Sequence, residues 1–285
     1  MKRWTTLLAA TAVVLAACGG GGGDAEAAPA PTSTTAASST TEADPGSESL
    51  GTTTIVVDEG DPAAVELPFE ISVLGSVWPT NWAMRTIELE ELRVGIGRQD
   101  PRDAIRPIDD PLYEDTVAAD AWLEDQEIGI LLEVGDEAIF YPVRILISHE
   151  IVNDQRGEVP FSLTYCPLCN TAAAFDRRVD GQVLRFGVSG LLRNSDLVMW
   201  DDATTSLWQQ ATGEGIVGDF AGTQLEFLPT ALIRWADFKA NHPDGDVLST
   251  DGLPFTYGSN GYVGYSSLAS PYGSFFPGEP DPRYE

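Results

Sequence analysis

Lysine is all but missing from this 285-residue chain: only Lys2 and Lys239 occur, and 16 basic residues stand against 44 acidic ones for a formal charge of -28. A surface of that sign repels phosphate backbones, so the composition excludes nucleic acid as a natural partner. The acids form a solvated, salt-adapted face or a surface that attracts cations. Long apolar runs are also missing. The best candidate, Leu7 to Val14, is far below the roughly 20 residues that a membrane-spanning helix needs. Cysteine and histidine are scarce. The chain has Cys18, Cys166 and Cys169, and only His149 and His242, which excludes multi-knuckle zinc ribbons and disulfide-dense scaffolds.

What is present begins with Lys2 and Arg3, the apolar run, and then Leu15-Ala-Ala-Cys18. Charge, apolar core, small residues and a cysteine in that order are expected of a secretion signal over residues 1–18. The end of that segment resembles the lipobox of bacterial lipoproteins, which implies that Cys18 is acylated and anchors the protein to the membrane from outside the cytoplasm. From Gly19 to about Thr54 the chain is Gly, Ala, Pro, Ser and Thr with scattered acids and one large aliphatic residue, Leu50. Such a stretch cannot bury enough surface to offset its ordering entropy, so a flexible tether is expected over 19–54. Residues 55–285 then suffice for a single globular domain.

Strand signals dominate that domain. Glu127–Val134 and Ala138–Tyr141 flank a Gly135-Asp136 turn dipeptide, and Ala172–Val179 and Gln182–Val188 flank Asp180-Gly181. Further strands are expected at 159–165, 197–200, 206–210 and 223–228. Apolar spacing predicts two helices, Val143–Val152 with His149 on or beside its inward stripe, and Thr230–Ala240 closed by Pro243, with His242 as a capping residue. The expected class is α+β, mostly antiparallel β with a few short helices.

Chemistry concentrates at Cys166-Pro-Leu-Cys169. In a straight strand, residues three apart lie about 10 Å from one another, too far to share a metal or a disulfide. Pro167 presets a turn that brings both sulfurs to one side, within about 4 Å. Three readings of this knuckle stay open. It binds a soft metal, copper or zinc, with His149 as third ligand. Alternatively it is a thiol–disulfide or other cysteine redox enzyme, with Cys166 as the more exposed nucleophile and His149 as base. In the third reading a structural disulfide staples a binding or scaffold module, with Asn194, Asp196 and Gln209 on a recognition surface and a strip of aromatics from Phe255 to Phe276. Glu150, Asn153 and Asp154 cluster in sequence with His149 and are expected to orient its ring. The chain is expected to double back after Asp154, laying the helix of His149 against the strand that ends at Cys166.

The segments Tyr141–Asp154, Thr164–Cys169, Phe186–Gly190, Asn194–Leu197 and Ser206–Trp208 together resemble the domain-of-unknown-function family 3179. Weaker similarity reaches back through Ile108–Pro111 and Gly97 to about Asn81. The resemblance implies a secreted or membrane-tethered protein of unassigned activity, and the motif positions it marks are His149, Glu150, Asn153, Asp154, Cys166, Cys169, Asn194, Ser195, Asp196 and Trp208. Two departures stand out. Asn170 occupies a place where relatives usually carry glycine, and asparagine tolerates the left-handed backbone needed there. Longer relatives continue past a segment like Phe276–Arg283 into a second copy of the unit.

Overall fold

The computed structural model describes residues 65–254 together with 56–57, 257 and 262. All of these fall within one compact unit, Leu50–Glu285. The expected signal segment, Cys18 and the tether lie outside the described residues, as do Phe255, Tyr265, Tyr272, Phe275 and Phe276. Among the described residues, no helix is long and apolar enough to cross a membrane.

The fold is α+β, mostly antiparallel, with a few short helices. Its centre is a four-stranded sheet in the order Phe227–Leu228, Thr171–Asp176, Val159–Cys166, Ile151–Arg156. Successive side chains of a strand point to opposite faces, and here both faces are buried. Val152, Phe161, Leu163, Tyr165 and Ala174 pack on one side against Ile130, Leu132, Ile139 and Tyr141 of a five-stranded sheet. Ile151, Cys166, Ala173 and Phe175 pack on the other against Phe186, Val188, Leu197, Met199 and Trp208 of a seven-stranded sheet. Three layers result. Each large apolar side chain buried between them contributes about 1.5–3 kcal/mol.

Local turn chemistry explains several elements. The hairpin Ile128–Val134/Glu137–Pro142 forms where alternation and Gly135 predict it, with Gly135 at φ 61°. Asp180 and Gly181, at φ 49° and 80°, make the two-residue turn that matches strand twist. His242 caps the helix Trp235–Asn241, its N–H bonding the Phe238 carbonyl at 2.7 Å.

Both expected helices are too long. The first ends at His149 and the second begins only at Trp235. Thr230–Arg234 is instead a strand, paired residue by residue with Ile128–Leu132. An open sheet edge supplied five backbone partners, and that pairing overrode a weak helical pattern. Likewise Ile151–Arg156 pairs with Val159–Cys166 in a hairpin through Gly157. The chain does double back after Asp154, strand on strand, and the helix Val143–His149 also lies against Val159–Cys166, its Ile145 and Leu146 sharing a core cluster with Phe161, Leu163 and Tyr165.

Candidate functional site

Strand parity decides where the first cysteine points. Ser162, Thr164 and Cys166 share the face turned toward the seven-stranded sheet, and Cys166 is 1% exposed. Register pairs Cys166 with Thr171, so Pro167, Leu168, Cys169 and Asn170 close a tight connection between two antiparallel strands. Asn170 takes the left-handed conformation at φ 54°, and its side-chain oxygen accepts from the Tyr165 hydroxyl at 2.9 Å. The turn leaves Cys169 exposed and both thiols free of disulfide.

A second hairpin meets this turn from across the interface. Phe186–Arg193 and Asp196–Asp201 are joined by Asn194 and Ser195 alone, at φ 52° and 61°, with Arg193 facing Asp196. Positive φ at both central residues is the signature of a two-residue hairpin turn, which is the role these two motif residues play. The turn delivers the Ser195 carbonyl to 3.9 Å from Cys166 Sγ and Asp196 Oδ1 to 3.2 Å from Cys169 Sγ. The sulfurs of Cys166 and Cys169 and a carboxylate oxygen of Asp196 all lie within 4.8 Å of one another, the only such trio among the described residues. Asp196 is 5% exposed. Its Oδ2 accepts from Gln209 Nε2 and from the Ala211 N–H at 2.9 Å, which leaves Oδ1 aimed at the cysteines. Gln209 is buried beneath the site and orients its carboxylate, where a surface position was expected.

The two thiols differ. Cys169 is held below the ordinary thiol range, foremost because the Cys166 S–H donates to its thiolate. Cys166 is pushed up by that same donation and then by burial. Exposure therefore reverses the expected roles, making Cys169 the accessible sulfur and Cys166 the one behind it.

His149 does not join the trio. Its Nδ1 lies 2.6 Å from the Arg106 carbonyl and its Nε2 2.6 Å from the Tyr257 hydroxyl. A carbonyl only accepts, so Nδ1 carries the proton and Nε2 accepts from the tyrosine. Burial lowers the pKa of the ring and favours this neutral form. The imidazole thus ties the end of its helix to the segment before Ile108.

The remaining motif residues separate into framework and site. The Asn153 amide donates to Asp109 Oδ1 and the Phe186 carbonyl, each at 2.8 Å, and its oxygen accepts from Phe186 N–H at 3.1 Å, tying the central sheet to the seven-stranded one. Asp154 accepts from the Tyr113 hydroxyl at 2.7 Å and pairs with Arg156. Trp208 is fully buried, its indole N–H on Asp201 at 2.9 Å.

Glu150 is the unusual one. Strand alternation would turn it, opposite Tyr165, toward the five-stranded sheet, but its left-handed backbone at φ 60° re-aims the side chain. Glu150 lines, with Leu168, Val188 and Leu197, a cavity on the cysteine side. Burial first, and the charge of Asp196 second, raise its pKa to about 8.

No curated protein and no solved structure matches the chain. A family model does, over residues 102–285, leaving 81–101 outside the matched segment. Both cysteines, Glu150 and Asp196 fall within that match, and on its extent the chain belongs to the family described as Protein of unknown function (DUF3179).

Proposed function

We propose that this domain binds a soft metal ion, copper(I) foremost, through the Cys166 and Cys169 thiolates, with Asp196 as a neighbouring oxygen donor. The observation that carries the reading is the convergence of two sulfurs and a fixed carboxylate oxygen within 4.8 Å, brought together by two hairpin turns of different sheets. Thiolates select copper(I), and zinc(II) accepts sulfur and carboxylate together. The sulfur and carboxylate donors sit at a turn with Cys169 exposed, so an ion held there stays open to exchange or to a further ligand. With the signal-like N-terminus and Cys18, the domain would work outside the cytoplasm on a lipid anchor, handling metal near the membrane surface. Titrating the reduced full-length chain with copper(I) tests this directly. One equivalent should bind in the wild type and none tightly in Cys166→Ser or Cys169→Ser; a chain indifferent to copper(I) and zinc(II) ends the proposal.

A thiol-redox role is the second reading, favoured by the lowered Cys169 thiol standing in front of a second cysteine. Cys169 would attack and Cys166 would resolve the mixed disulfide. Peptide mapping after brief iodoacetamide treatment should find Cys169 labelled at least about tenfold faster than Cys166, since the thiolate is the nucleophile. Equal labelling of the two would remove this reading.

A further inference from the structure

Beside the cysteine turn lies a cavity of about 180 Å³, walled by Ile96, Ile105, Leu168, Val188, Leu191 and Leu197. Among the described residues Glu150 supplies the only carboxyl on its wall, no basic side chain lines it, and Tyr262 completes the lining. Glu150 is 6% exposed, and its carboxyl has no hydrogen-bond donor among the described residues, its oxygens facing the cavity space rather than being sealed in protein. A buried polar group without a partner is costly, and a non-glycine residue at φ 60° adds backbone strain of about 1–3 kcal/mol. Two unfavourable features at one side chain, both serving to aim it into an apolar hollow, mark a place prepared for a ligand.

The chemistry of that ligand follows from the walls. Its body is apolar and small enough for the cavity. In the free protein the carboxyl keeps its proton up to about pH 8, so a cation that enters releases that proton and meets a carboxylate, which only accepts; the polar end of the ligand must therefore supply the hydrogen-bond donors. It must also carry positive charge, because the carboxylate has no counter-ion, Asp196 lies nearby, and the whole chain is strongly acidic at -28. We propose that this cavity binds a small hydrophobic amine, its ammonium on the Glu150 carboxylate and its apolar body against Leu168, Val188 and Leu197. The site is distinct from the metal reading, which it meets through Leu168 and Leu197, neighbours in sequence of Cys169 and Asp196, and through the charge of Asp196 on Glu150. A bound amine would brace the cysteine turn through Leu168.

Benzylamine is a suitable probe, with benzyl alcohol as its neutral counterpart. Calorimetric titration of the metal-free, reduced full-length chain should give saturable binding of one benzylamine. Affinity should drop about tenfold or more in Glu150→Gln, the scale of a charge-assisted hydrogen bond, and by a similar factor when benzyl alcohol replaces the amine. Ile105→Trp, which adds bulk on a half-buried wall, should abolish binding while leaving Glu150 in place, and circular dichroism identifies any variant that has lost its fold. No saturable benzylamine binding, an undiminished affinity in Glu150→Gln, or equal affinity for the alcohol would each overturn the proposal. Because no metal is present, these outcomes are independent of whether the cysteines bind copper.

Discussion

Glu150→Gln will remove a fall in stability that the wild-type chain shows as pH rises from the ordinary glutamate value of 4.5 to about 8. In that window the folded state keeps a proton on Glu150 that the unfolded state releases. Stability must therefore decline with rising pH, the reverse of a salt-bridged carboxylate, and the loss is complete above the folded value. The full interval corresponds to about 5 kcal/mol, with burial as the larger cause and Asp196 as the smaller. Glutamine has the same shape and no proton to lose. Urea unfolding of the metal-free, reduced proteins across this range should thus give curves that agree near about pH 4.5 and diverge by about 3–4 kcal/mol near about pH 8.5, with the variant the more stable. Parallel curves would show that Glu150 ionises without penalty, and that its carboxyl is better solvated than its 6% exposure implies.

Asp196→Asn is the second substitution with a large expected effect, and its value lies in separating two ions. The side chain keeps its shape and can still accept from the Ala211 N–H, so the hairpin should hold. Its charge and its best donor oxygen are gone. Zinc(II), which draws on sulfur and oxygen ligands alike, should lose about 100-fold or more in affinity, whereas copper(I), which the thiolates select unaided, should lose less than about tenfold. Competition titrations with chromophoric chelators measure both. Equal losses would make the carboxylate a full ligand for either ion; no loss for either would confine the site to its sulfurs.

How much of this was legible in the residues divides along range. The Cys-Pro-Leu-Cys turn, the left-handed Asn170 and the Asp180-Gly181 hairpin are written in a few adjacent residues, because dihedral preferences of proline, asparagine and glycine act locally. The three-layer packing was hidden, since Val159–Cys166 alternates Phe, Ser, Leu, Thr and Tyr as a strand with one wet face would, yet Ser162 and Thr164 are fully buried. The two shortened helices were not visible. Thr230–Arg234 became a strand through the edge of Ile128–Val134, nearly a hundred residues earlier, and no local signal reports such an edge. His149 illustrates the same limit. Its partners, Arg106 and Tyr257, lie 43 and 108 residues away, so sequence proximity to Glu150 and the cysteine strand said nothing about where the ring would turn. Asp196 entered as a recognition-surface residue and as a motif position, neither of which placed it at the cysteines, and its aim at Cys169 depends on Gln209 beneath it. The re-aimed Glu150 had no sequence signal either, because a positive φ at glutamate runs against its intrinsic preference and is imposed by the surrounding fold.

The central claim, that the metal rests on the cysteine pair and not on a histidine, is tested most directly by X-ray absorption at the copper edge on the reduced, copper(I)-loaded full-length chain. Sulfur scatterers from Cys166 and Cys169 should account for the first coordination shell, with no imidazole signature, because His149 is held between Arg106 and Tyr257. A shell containing imidazole nitrogen, or one without sulfur, would contradict it.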